Sequence, residues 1–125
     1  MPSLRTPTCS LVLAADDVAG LASFYGSLLA AAPQAGASAS HWRLPLPGGL
    51  WLDLYCPSRE RPLPRQRGRL ALCLQLEGGE LGLRDAVQRC LELGGGCLEQ
   101  PRQESFGWEC WLQDLEGNSL LLLAP

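Results

Sequence analysis

One order of elements occurs twice in this chain, and neither copy is long enough to cover its own sheet. The first copy opens with the apolar run CSLVLA (9–14), closed by Asp16-Asp17, which reads as a strand running into a helix cap. Val18, Leu21, Ala22, Tyr25, Leu28 and Leu29 then recur at helical spacing, predicting an amphipathic helix over 17–31. SHWRLPLPGGLWLDLYC follows, with two strand-like segments around the turn Pro47-Gly48-Gly49. Pro45 places the first of them at an edge or cuts it short. The second copy repeats the order. RLALCLQL (69–76) is a strand, Leu83, Ala86, Val87, Cys90 and Leu91 share a face of a helix over 80–93, and Gly94-Gly95-Gly96 ends it. Strands over 97–100, 108–113 and 119–123 complete it. A doubled unit of this size implies a paired α+β architecture.

The two halves, about 8–56 and 69–125, are joined by PSRERPLPRQRG (57–68), whose proline and arginine content reads as a surface linker. At 125 residues the whole suits one domain. With 46% hydrophobic and 18% charged residues it has enough apolar surface for a core. A formal charge of −3, with all ten basic residues arginine, argues against a general nucleic-acid surface. The six cysteines, Cys9, Cys56, Cys73, Cys90, Cys97 and Cys110, are scattered without C-x-x-C spacing, so they read as buried free thiols of a reducing compartment. No signal-peptide pattern or membrane-length apolar run is present, so a soluble, cytoplasmic protein without a membrane partner is expected.

Two stretches carry a family resemblance. LVLAADDVAGLASFYGSLLAA resembles the strand-Asp-helix segment, with its Phe-Tyr and Leu-Leu, of the vicinal oxygen chelate superfamily. FGWECWLQDLEGNSLLLLAP resembles that superfamily's Gly-aromatic strand and Asp-Pro-x-Gly-Asn turn, with Leu115 in place of the proline. The superfamily includes glyoxalase I, extradiol dioxygenases, fosfomycin-resistance enzymes and bleomycin-resistance proteins. The resemblance implies two βαβββ modules whose curved mixed sheets enclose a cavity, often across a dimer interface.

Carried onto this chain, the superfamily's four metal-ligand positions fall on Ser10, Asp53, Arg69 and Leu121. A divalent site needs imidazole, carboxylate or thiolate donors. Leucine has none, and a guanidinium is cationic and cannot deprotonate. His41 is the only histidine and sits beside Trp42, where a structural or surface residue rather than a ligand is expected. The chain is therefore expected to use neither metal nor cofactor.

Strand alternation then selects the side chains that share a face with those positions. They are Ser10 and Val12; Trp51, Asp53 and Tyr55; Arg69, Ala71, Cys73 and Gln75; Glu109, Trp111 and Gln113; and Ser119, Leu121 and Leu123. Leu70, Leu72 and Leu74 are assigned to the core. Ser10, Trp51, Asp53, Tyr55, Arg69, Cys73, Glu109, Trp111 and Leu121 form the candidate ligand-binding set. Aromatic walls with sparse polar groups fit a small-molecule site, and equally a face packed on a partner subunit. Asp53 and Arg69 either pair across the halves in place of a metal or present Arg69 to a ligand anion. Arg59, Arg61, Arg65 and Arg67 read as an exposed connector. Cys73 faces inward, but no histidine is placed to activate it. The expected activity is capture of a partly aromatic or apolar small molecule by a homodimer, in the manner of a bleomycin-resistance protein. A metal-dependent lyase or dioxygenase and a ligand-free dimeric interaction module are the alternatives. No catalytic residue is assigned.

Overall fold

Two β-sheets, each backed on one face by a single helix, make up the computed structural model, which describes residues 9–64 and 68–125. Arg65 and Arg67 of the expected connector lie outside the described residues. In the first half β1 (Ser10–Ala14) leads into α1 (Val18–Leu29), followed by β2 (Gln34–Ala35), β3 (His41–Pro45) and β4 (Trp51–Tyr55). The second half has β5 (Leu72–Gln75), α2 (Gly79–Glu92), β6 (Gly96–Cys97), β7 (Arg102–Glu104), β8 (Gly107–Gln113) and β9 (Ser119–Ala124). The strand order of the first sheet is β1-β4-β3-β2, and that of the second is β5-β9-β8 with β6 and β7 both along the far side of β8. In each sheet the first strand lies parallel to the last and the remaining pairs are antiparallel. This is the α+β fold of two βαβββ modules expected from the sequence, with the second strand of module two divided into β6 and β7.

The helices end where local chemistry stops them. The Asp17 carboxylate accepts from the Gly20 amide at 3.0 Å and caps α1. Ala30 closes it in the left-handed region at φ 52. Helix α2 has no side-chain cap, but Glu80 lies in its first turn and Arg89 in its last, each matched to the helix dipole. Gly94 turns the chain out at φ 98. No helix among the described residues is long and apolar enough to cross a membrane.

Both helices cover the same kind of strand position. Leu44, Leu52 and Leu54 from the first sheet, and Cys110, Leu112, Leu120 and Leu122 from the second, are buried against Leu21, Tyr25, Leu83 and Cys90 in one core. The turn between β8 and β9 fastens one half to the other. Buried Asp114 accepts from the Tyr25 hydroxyl of α1 at 2.7 Å and from the backbone amides of Glu116 and Asn118. The Glu116 carboxylate in turn accepts from the amides of Asp16 and Asp17 at 2.7 and 2.9 Å. The acidic turn is thus a structural joint.

Four expectations are corrected. The strand predicted over 69–76 begins only at Leu72, because its partner β9 begins at Ser119 and offers nothing upstream for Arg69 or Leu70 to pair with. Leu70, assigned to the core, is 82% exposed. The strand predicted over 97–100 stops at Cys97, while Gln34–Ala35 pairs with β3 and Arg102–Glu104 with β8 although neither carries apolar alternation. The cysteines are not uniformly buried: Cys90 and Cys110 are, Cys56 is half-buried, and Cys9, Cys73 and Cys97 are exposed.

Candidate functional site

The leucines of β4 and β9 decide which face remains open. Leu52 and Leu54 are buried beneath α1, so period two turns Trp51, Asp53 and Tyr55 to the opposite face. The register Pro45↔Trp51, Arg43↔Asp53 and His41↔Tyr55 adds β3, and Ser10↔Trp51 and Val12↔Asp53 add β1. In the second sheet, buried Cys110, Leu112, Leu120 and Leu122 leave Glu109, Trp111, Gln113, Ser119, Leu121 and Leu123 on the open face. The register Cys73↔Leu121 places Cys73 and Gln75 there too.

On the first sheet the polar centre is Asp53. Its Oδ1 accepts from Arg43 Nε at 2.6 Å and contacts His41 Nε2 at 2.9 Å. His41 Nδ1 accepts from the Ala37 amide at 2.9 Å, so the neutral ring carries its proton on Nε2 and donates it to Asp53. Both ring nitrogens are therefore engaged in hydrogen bonds within the chain. Burial pushes the Asp53 carboxyl up, but hydrogen bonds from His41, Ser10 and Arg43 outweigh it and hold the group below the usual carboxylate range. The Arg43 guanidinium also lies 4.4 Å from the Trp51 ring centroid, and Arg61 of the linker lies 5.4 Å from that of Tyr55.

The second sheet repeats the theme with other residues. Arg102 binds Glu99 at 2.8 Å and also binds Glu104 and Glu109. Glu99 additionally accepts the Trp111 amide at 3.0 Å. Cys73 lies near Glu109; burial first, then that negative charge, push its thiol up, which makes it a poor nucleophile at neutral pH.

The expected Asp53–Arg69 pair does not form. Asp53 is satisfied by His41 and Arg43 of its own hairpin and by Ser10 of β1, while Arg69 is exposed, outside any strand, at the border of a groove of about 1070 Å³ between the sheets. Val12, Leu70 and Trp111 are among that groove's lining residues, but Trp51, Asp53 and Tyr55 are not. The nine candidate residues therefore do not share one cavity: Ser10, Trp51, Asp53 and Tyr55 lie on one open face and Cys73, Glu109, Trp111 and Leu121 on the other, and of the nine only Arg69 and Trp111 line the groove. Arg43 and Arg102 were missed. Arg43 was legible, since it and Asp53 stand equally far from Gly48 in the hairpin turn. Arg102 was not, because it lies on a three-residue strand with no apolar pattern.

The structure also moves one of the four metal-ligand positions. The helix caps Asp17 and Gly78 are 61 residues apart, and the same offset carries Val12 to Cys73, each opposite a proposed ligand position, Asp53 and Leu121. That offset carries Ser10 to Ala71, which replaces Arg69. The donor set becomes Ser10, Asp53, Ala71 and Leu121, with Asp53 already held by an arginine and a histidine. It does not fit a divalent ion. Among the described residues no group of three His, Cys, Asp or Glu side chains converges in a metal-holding arrangement.

Two helix-backed mixed sheets of this order are the glyoxalase/bleomycin-resistance architecture of the vicinal oxygen chelate superfamily. A glyoxalase-related enzyme from Fulvimarina pelagi superposes with a TM-score of 0.79 at 16% identity, over 97% of this chain and 89% of that one. A genomically encoded fosfomycin resistance protein from Listeria monocytogenes gives 0.74 at 14% identity over 98% and 95%. A lactoylglutathione lyase from Agrobacterium tumefaciens gives 0.67 at 18% identity over 98% and 96%. At these identities the likeness is one of fold alone. The sequence itself matches the glyoxalase-like domain over residues 10–123, and the chain belongs to that family. No curated protein matches it.

Proposed function

We propose that this chain is a metal-independent small-molecule binder of the glyoxalase-like family, taking a partly aromatic or apolar ligand against the open sheet faces. The observation that carries the reading is the fate of the polar groups there. Asp53 is bound by Arg43 and His41, Glu109 by Arg102, and the remaining ligand positions offer Ser10, Ala71 and Leu121. Carboxylates tied to guanidinium groups serve orientation better than proton transfer or metal ligation. Trp51, Tyr55, Trp111, Leu121 and Leu123 supply apolar walls around them, the usual division of labour in a small-molecule site. Homodimer formation belongs to the same reading, because it would bring a second chain over faces that one chain leaves open.

Native mass spectrometry of protein purified without chelator tests this. The expected result is an organic adduct with less than one metal per chain. Stoichiometric zinc, nickel, iron or manganese would overturn metal independence and favour the lyase or dioxygenase reading. A dimer with no adduct, and no binding of 1-anilinonaphthalene-8-sulfonate, would favour the ligand-free interaction module.

A further inference from the structure

Away from the open faces, two cysteines meet where β6 leaves β8. Cys97 Sγ and Cys110 Sγ are 3.8 Å apart, and both donate to the carbonyl oxygen of Glu99, at 2.7 and 3.3 Å. Among the described residues no other pair of sulfurs is in contact. The two thiols differ in access: Cys97 is exposed, whereas Cys110 is fully buried in the core. An accessible sulfur backed by a buried one within contact distance is the arrangement of an attacked and a resolving thiol.

We propose that Cys97 and Cys110 form a reversible oxidation site for hydroperoxides, closing to a disulfide between β6 and β8. The Cys97 sulfur attacks a peroxide oxygen and the O–O bond breaks. The departing oxygen takes up the Cys97 proton and leaves as alcohol or water, so Cys97 becomes a sulfenic acid. The Cys110 sulfur then attacks the Cys97 sulfur. The S–O bond breaks, and the hydroxyl leaves with the Cys110 proton as water. The thiols lose the electron pair that the peroxide gains. Closing the contact to an S–S bond of ~2 Å asks for side-chain rotation at one edge of β8. Burial, then the Cys97 thiol, push Cys110 up to about 12, which leaves the first attack to Cys97; the second attack, by Cys110, relies on contact at 3.8 Å and on its proton leaving with the hydroxyl. The site adjoins Trp111, whose amide is held by Glu99, so oxidation would be registered beside the open face.

The full chain treated with limiting hydrogen peroxide, blocked with N-ethylmaleimide and cut with trypsin provides the test. Cleavage after Arg89 and Arg102 leaves Cys90 and Cys97 on one peptide and Cys110 on the next. The expected product joins these peptides through Cys97, as assigned by fragmentation, and dithiothreitol reverses it. In Cys110→Ser, or Cys110→Ala if the serine variant does not fold, dimedone should trap a Cys97 sulfenic acid about tenfold more than in the parent. A bridge through Cys90, a bridge between chains, or equal dimedone labelling of parent and variant overturns the proposal.

Discussion

Tyr25→Phe removes a single oxygen, and its cost can be worked from the joint between the halves. The hydroxyl is buried and donates to Asp114 Oδ2 at 2.7 Å. Hydrogen bonds to charged acceptors contribute about 1.5–3 kcal/mol. Asn118 Nδ2 still reaches Asp114 Oδ2 at 2.8 Å after the change, so the carboxylate is not orphaned and the low end applies, roughly 1.5 kcal/mol. Asp114→Ala is harsher. It strands the buried phenol and strips the Glu116 and Asn118 amides of their acceptor, for about 3–4 kcal/mol in total. In a chain of this size these losses lower Tm by roughly 5 °C and 12 °C respectively. In the Tyr25→Phe background Asp114→Ala should cost about 1–2 kcal/mol less than it does alone, because the stranded hydroxyl is gone. Urea unfolding followed by far-ultraviolet circular dichroism measures all four corners of this cycle, with m unchanged. A Tyr25→Phe cost below about 0.5 kcal/mol, or single costs that simply add, would refute the view that this contact couples the halves.

Asp53, held below the usual carboxylate range, contributes stability that is present at neutral pH and lost as pH falls through its depressed folded-state value. Asp53→Asn should therefore lose stability at pH 7 and show a shallower decline on acidification; identical acid-unfolding slopes would remove Asp53 from that role. Light scattering at micromolar concentration should give twice the 13.5 kDa chain mass, and a concentration-independent single-chain mass would rule out the homodimer.

How much of this was legible depended on the range of the interaction that fixes each feature. The helices, the main strands and the face each strand residue takes follow from apolar periodicity, a local property that survives small errors in the ends of elements. Turn symmetry about Gly48, another local property, sets Arg43 opposite Asp53. The family resemblance lay in local segments as well, which is why two stretches sufficed to raise it. Pairing between distant segments was a different matter. Whether Arg69 joined a strand depended on where β9 began, some fifty residues later, and whether Asp53 needed Arg69 depended on what its own hairpin had already supplied. The contact between Cys97 and Cys110 likewise required β6 to settle against β8. Sequence alone determined which residues share a face, because alternation is built into the backbone of a single strand. Only the tertiary structure decided which charges and thiols from distant segments meet, because each has several possible partners and packing selects among them.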